Sequence, residues 1–312
     1  MLSRTADHLF WLARYMERAE NTARMLDVNY QTSLLPQSPE VAEQGWRALL
    51  SISELSQDYQ DRYGEIDAKR VKDFIVRDER NPSSIISCLR AARENARAVR
   101  GALTTEAWET TNQTWLEFKR LIADGLLLRD PSALFEWVKF RSHLSRGVTV
   151  GTMLQDEAFN FLRIGSFLER ADNTARLLDV KFQAPEGGVG SSAYDFYHWS
   201  AILRSVSAFE IYRKVYSNVI QPEKVAELLI LRSNMPRSLA HCLSRLVDNL
   251  DRVANEHSGE TQRQAGRLHA ELAYGRIDEI LAGGMHEFLD QFLNRVGELG
   301  AGISRDFLMP AA

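Results

Sequence analysis

Residues 17–31 read ERAENTARMLDVNYQ, and residues 169–183 read ERADNTARLLDVKFQ. Eleven of these fifteen positions are identical at an offset of 152. Around the first copy, Leu12, Met16, Ala19, Ala23, Leu26 and Tyr30 recur every three or four residues, the period of one helix face. The match loosens downstream but keeps its register. Trp46 aligns with Trp199, Tyr59 with Tyr212, Pro82 with Pro236, Ser84 with Ser238, Cys88 with Cys242, Asn95 with Asn249 and Phe135 with Phe288. A repeat that long, helical in period throughout, predicts an all-α protein made by tandem duplication of a roughly six-helix unit. The two repeats are expected at 1–151 and 152–312, as pseudo-symmetric bundles packed as one body.

The same periodicity predicts helices at about 3–32, 41–61, 67–77, 83–102, 105–126 and 132–150. A second set is expected at about 154–183, 193–217, 223–232, 237–257, 260–282 and 285–306. Strand-type alternation is scarce. The junction near 151 carries no Pro/Gly/Ser-rich linker, and 146–156 could pass from one helix into the next. The one flexible loop expected is APEGGVGSS, residues 184–192.

On a helical wheel, Glu17, Glu20, Asn21, Arg24, Asp27 and Gln31 fall within about 60 degrees of a common line. Glu169, Asp172, Asn173, Arg176, Asp179 and Gln183 do the same in the second copy, while Arg18 and Arg170 sit beside the stripe. Three uses are open. The stripe could be a solvated face with i,i+4 ion pairs worth ~0.2–0.5 kcal/mol each. It could be a buried polar lock between the first helices of the two halves. It could also line a cleft that takes a polar ligand or a partner's tail, with Arg24 and Arg176 as clamps for carboxylate or phosphate. The retention of these polar side chains, while Met25/Leu177 and Tyr30/Phe182 have drifted, favours a specified hydrogen-bond network. An unsatisfied buried partner costs ~1–3 kcal/mol.

YMERAENTARMLDV and FLERADNTARLLDV resemble the signature of the alpha-E domain family, all-helical domains with a recurring Glu-Arg motif. The likeness extends to MLSRTADHLFWLARY and GTMLQDEAFNFLRIGSFLER, so it spans essentially the whole chain. The resemblance carries over to Glu17, Arg18, Asn21, Arg24 and Asp27, and to Glu169, Arg170, Asn173, Arg176 and Asp179. It implies an all-α, cytoplasmic bacterial protein acting beside an ATP-grasp ligase and a transglutaminase-like cysteine peptidase. The expected role is an accessory or binding component of a system that makes or trims peptide or amide bonds, with a peptide as candidate ligand. The resemblance assigns no catalytic residue.

Composition narrows the other classes. The 312 residues carry 38 basic and 42 acidic side chains, a net charge of -4, which disfavours a nucleic-acid binder. The N-terminus lacks a signal-type apolar run, and no stretch approaches the ~20 apolar residues of a membrane helix. Two cysteines outside any CxxC pair exclude a thiolate zinc site. None of the seven histidines follows a Glu at i+3, as a di-iron bundle would require, and Asp195-x-x-His198 occurs once. Phosphate-loop and nucleophile-elbow motifs are missing, so no metal, nucleotide or other cofactor is expected. Cys88 and Cys242 read as small buried hydrophobes, and the six tryptophans as packing residues or a protein-binding groove. Arg90, Arg93, Arg97 and Arg100 form a basic stripe that reads as solvated or as a dock for an acidic surface. Two alternatives to the accessory role remain: an enzyme with Glu17 and Glu169 as paired carboxylates at the pseudo-twofold axis, and a purely structural scaffold.

Overall fold

The computed structural model describes residues 1–183, 192–216 and 219–309, and every regular element among them is helical. In order these are α1 (Ser3–Ser33), α2 (Pro39–Ile52), α3 (Ser56–Tyr63), α4 (Ala68–Val76), α5 (Ile85–Ala98), α6 (Thr105–Ala123), α7 (Leu126–Arg129) and α8 (Pro131–Thr152). There follow α9 (Glu157–Gln183), α10 (Ser192–Ser205), α11 (Phe209–Val215), α12 (Pro222–Ile230), α13 (Leu239–Arg252), α14 (Gly259–Tyr274), α15 (Ile277–Gly283) and α16 (Met285–Ile303). The loop expected at 184–192 falls, apart from Ser192, outside the described residues.

Helix starts follow their capping chemistry. The side chains of Ser84, Thr104, Asp130 and Ser238 accept the backbone N–H of Ser87, Ala107, Ala133 and His241, satisfying donors the first turn would leave orphaned. Pro39, Pro131 and Pro222 sit in the first turn, where a missing N–H costs nothing. Three expected helices are each split in two, the one expected at about 260–282 dividing at Gly275 and Arg276 into α14 and α15. Glu54 at φ 55° separates α2 from α3, and Ser207 at φ 52° separates α10 from α11. A non-glycine residue in that region costs ~1–2 kcal/mol. The turn it makes lets Leu55 and Ala208 enter the core. Since neither residue is glycine, nothing in the composition marks the break.

The chain forms two compact units, one of Met1–Ser166 with the residues from Phe307 onward, the other of Phe167–Asp306. Their boundary falls inside α9, whereas the sequence repeat begins near 152. The former reflects packing and the latter sequence periodicity. Between α8 and α9 the helix is interrupted: Met153 is extended, and the Asp156 side chain accepts from the N–H of Ala158 and Phe159.

In the first unit α1 packs chiefly on α5 and α8, and α6 packs on both of those. Leu9, Phe10, Leu26, Phe74, Ile75, Ile85, Phe118 and Phe135 are fully enclosed there. The buried Tyr59 hydroxyl donates to the carbonyl of Glu65 and accepts from the N–H of Asp67, pegging the turn into α4. In the second unit α13, α14 and α16 pack together around Leu243, Leu246, Leu268 and Leu289. There the buried Tyr212 hydroxyl donates to the carbonyl of Val219 and accepts from the N–H of Gln221. Cys88 and Cys242 are buried, each thiol directed at a proline carbonyl six residues earlier.

Candidate functional site

In the first unit the polar stripe of α1 is enclosed. Glu17, Glu20, Asn21 and Arg24 are buried and Asp27 is half-buried. Their counterparts lie on α8, more than a hundred residues away. Arg146 Nη1 is 3.0 Å from Glu17 Oε2 and also donates to Glu20 Oε2. The Ser142 hydroxyl donates to Glu20 Oε2 at 2.7 Å. Arg24 Nε donates to Glu20 Oε1 at 2.8 Å. One turn further along, Lys139 Nζ meets Asp27 Oδ2 at 2.6 Å, and Gln31 donates to the Ser132 hydroxyl at 2.7 Å. The His143 ring lies between the two guanidiniums, with Nε2 3.0 Å from Arg24 Nη2 and Nδ1 3.1 Å from Arg146 Nη2. A neutral imidazole can accept from only one of them at a time.

These contacts form a zipper along the α1–α8 seam. Its α8 half escaped the sequence reading. Ser132, Lys139, Ser142, His143 and Arg146 recur at spacings of seven and three to four, a signal hidden among the apolar residues of that helix. Arg18 lies off the seam, half-buried, with its guanidinium 5.9 Å from the centre of the Tyr15 ring.

The corresponding residues of the second unit are arranged differently. Glu169 and Arg170 are buried, and the Arg170 guanidinium sits 5.5 Å over Phe167 and 3.4 Å from the carbonyl of Pro236. Asp172, Asn173, Arg176 and Asp179 are half-buried. Arg176 takes the Asp172 carboxylate two-handed, at 2.8 and 3.0 Å. Asp179 Oδ1 meets His286 Nδ1 of α16 at 2.6 Å, and that contact raises the His286 pKa above the ordinary histidine value. Burial lowers the pKa of Lys181, and burial together with the Lys181 charge brings His198 down to about 4.

The Asp179–His286 pair makes a prediction with a definite sign. Its contribution to stability is complete below the unfolded histidine value near ~6.5 and fades as pH rises through the raised folded value. In an NMR titration His286 should titrate above the ordinary value, and Asp179→Asn should lower it toward that value. A wild-type titration at the ordinary value would remove the pair.

A cavity of about 40 Å³ adjoins Glu17 and Arg146, with Ala13, Met16, Thr111, Ser145, Thr149 and Ser166 among its walls. Its volume would admit a few water molecules at most, against the ~300–1,000 Å³ of an organic ligand pocket. Among the described residues no group of His, Cys, Asp and Glu gathers that could hold a metal ion. Arg90 pairs with Glu79, Arg93 and Arg97 with Glu94, and Arg100 lies over Trp108, so the stripe on α5 is matched by its own neighbours.

Residues 1–308 match the Alpha-E family, described as a predicted alpha-helical domain with a conserved ER motif. An uncharacterized protein of Mycobacterium bovis and another of Mycobacterium tuberculosis are each 26% identical over 312 residues. These alignments take in 93% of this chain and 35% of each relative, so the chain spans about a third of their length. No solved structure matches.

Proposed function

The chain belongs to the Alpha-E family, and from that premise we propose that it is a non-catalytic binding component of a bacterial peptide- or amide-bond-forming system. Its partners are an ATP-grasp ligase and a transglutaminase-like peptidase. The observation that carries the non-catalytic part is the zipper. Glu17 and Glu20 are held by Arg146, and Arg24 by Glu20, beside a cavity with room only for water. A general acid or base must reach substrate, and neither carboxylate has space for one. The longer relatives are in keeping with a domain that works joined to other domains.

The same reading includes the tandem duplication, with repeats at 1–151 and 152–312. Matching local devices support it: the Tyr59 and Tyr212 pegs, the Ser84 and Ser238 caps, and the left-handed residues Glu54 and Ser207. Among the described residues no helix is long and apolar enough to cross a membrane, and the proposed setting is the cytoplasm.

The test is affinity capture with the tagged full chain from the bacterium that encodes it, beside assays of the purified chain. Co-purification of a ligase or peptidase, with no amide-bond turnover by the chain alone, is the expected result. Turnover abolished by Glu17→Gln in a variant that remains folded would replace the proposal with an enzyme.

A further inference from the structure

His143 stands where the two guanidiniums of the α1–α8 seam converge. Its Nε2 is 3.0 Å from Arg24 Nη2, and its Nδ1 is 3.1 Å from Arg146 Nη2. Guanidinium N–H groups only donate. A neutral imidazole has one acceptor nitrogen and one N–H, so in either tautomer one guanidinium faces a donor. Protonation worsens the contact, because an imidazolium has no acceptor and adds a third positive charge. The ring is a poor chemical match for a position defined by two converging donors.

A carboxylate matches it better. It is planar, as the ring is, its two oxygens are spaced much like the two ring nitrogens, and both accept. One oxygen takes the N–H of Arg24 Nη2 and the other that of Arg146 Nη2, each bond charge-assisted. The donors are held in place before any ligand arrives. Arg24 is anchored to Glu20 through Nε at 2.8 Å and Nη2 at 2.7 Å, and its side chain is only 8% exposed. Arg146 is anchored to Glu17 and Glu20 through its other terminal nitrogen, Nη1. Donors fixed in advance lower the ordering cost of binding. The same glutamates limit the charge the position tolerates. They balance the two arginines, so a monoanion is accepted more readily than a dianion such as phosphate, which two buried carboxylates repel. The ring itself is free to leave in the steric sense: the His143 side chain is exposed, and a change of rotamer carries it into water without moving either helix.

We propose that Arg24 and Arg146 form a carboxylate-binding site, and that His143 caps it until a ligand takes its place. The ligand is a carboxylate carried by a peptide. That identity rests on the peptide-system reading above, whereas the site rests on the geometry of the three side chains. A cap lowers apparent affinity in proportion to the time the site is covered. A ring in place ~90% of the time weakens binding about 10-fold.

The test is an NMR titration of the full chain with N-acetyl-dialanine, whose one charge is its terminal carboxylate, up to about 20 mM. Wild type should bind it with a millimolar dissociation constant, and the Arg24 Nε–H signal should shift. His143→Ala should bind it about 10-fold tighter. Helix content should hold, because the side chain removed is exposed. N-acetyl-dialanine amide, which lacks the charge, should bind neither protein. N-acetylglutamate with its backbone carboxyl amidated carries the carboxylate on a side chain. If it binds as well, the site takes acidic side chains; if it does not, the site takes chain ends, and the site stands in both cases. Equal affinity of wild type and His143→Ala would overturn the proposal, since the ring would then not be the cap. So would binding that leaves the Arg24 Nε–H signal unmoved, equal binding of the amide, tighter binding of inorganic phosphate, or no binding by His143→Ala. Failure to capture a ligase or peptidase leaves this titration untouched, and a failed titration leaves the capture result standing, so the two readings fall separately.

Discussion

Replacing Arg146 with methionine should lower the stability of the protein by about 3 kcal/mol or more. The aliphatic length is kept, but the guanidinium that holds Glu17 and Glu20 is lost. Those carboxylate side chains are 1% and 0% exposed, so bulk solvent does not reach them. Removing one partner of a buried charge cluster typically costs ~3–5 kcal/mol, because the remaining charge stays buried. In a chain of this size that is a fall in melting temperature of about 6 °C or more. Arg176→Ala in the second unit is the control. Arg176 and Asp172 are 26% and 22% exposed, so their pair should contribute under ~1 kcal/mol. Equal losses at Arg146 and Arg176, measured by urea unfolding, would contradict the asymmetry.

Gly165→Ala should be comparably damaging for a steric reason. A Cβ at Gly165 would stand 2.3 Å from the carbonyl oxygen of Phe10 and 3.1 Å from its carbon. The obstacle is the backbone of α1, so no rotamer change relieves it, and the helices must separate. Overpacking of this kind costs ~1–3 kcal/mol and sometimes more. Shifting α1 also disturbs the seam that carries Glu17 and Glu20. Gly147→Ala is its counterpart. Its Cβ meets nothing within 4 Å, so the change should gain up to ~1 kcal/mol of helix propensity. A Gly165→Ala protein with unchanged melting would show that the close approach of α1 and α9 is not required.

The helical architecture was legible in the sequence because it rests on local signals. Apolar spacing marked every long helix, and Ser84, Thr104, Asp130 and Ser238 sit where helices begin. The breaks at Glu54 and Ser207 were hidden because left-handed residues are usually glycine, and here the burial of Leu55 and Ala208 offsets the backbone cost. For the candidate site, the wheel gathered Glu17, Glu20, Arg24, Asp27 and Gln31 on one side of α1, and that whole row meets α8. The partners are tertiary neighbours, 101 to 129 positions away, and sequence spacing within α1 carries no information about them. The repeat also suggested equal roles for Arg24 and Arg176. Their flanking sequences are nearly the same, but Arg24 is covered by His143 and the rest of α8, whereas Arg176 stays half-buried. Burial is set by what packs on a helix, and the two copies of the signature are packed differently.

The central claim is that the Glu-Arg signature of α1 fastens that helix to α8. A double-mutant cycle between Glu20 and Arg146 tests it most directly. Wild type, Glu20→Gln, Arg146→Met and the double variant are compared by urea unfolding at neutral pH. If the two side chains form the buried pair described here, each single loss is large, the second adds little, and the coupling energy is about 2 kcal/mol or more. A coupling below ~0.5 kcal/mol, the value of an exposed pair, would contradict the account and return the signature to the protein surface.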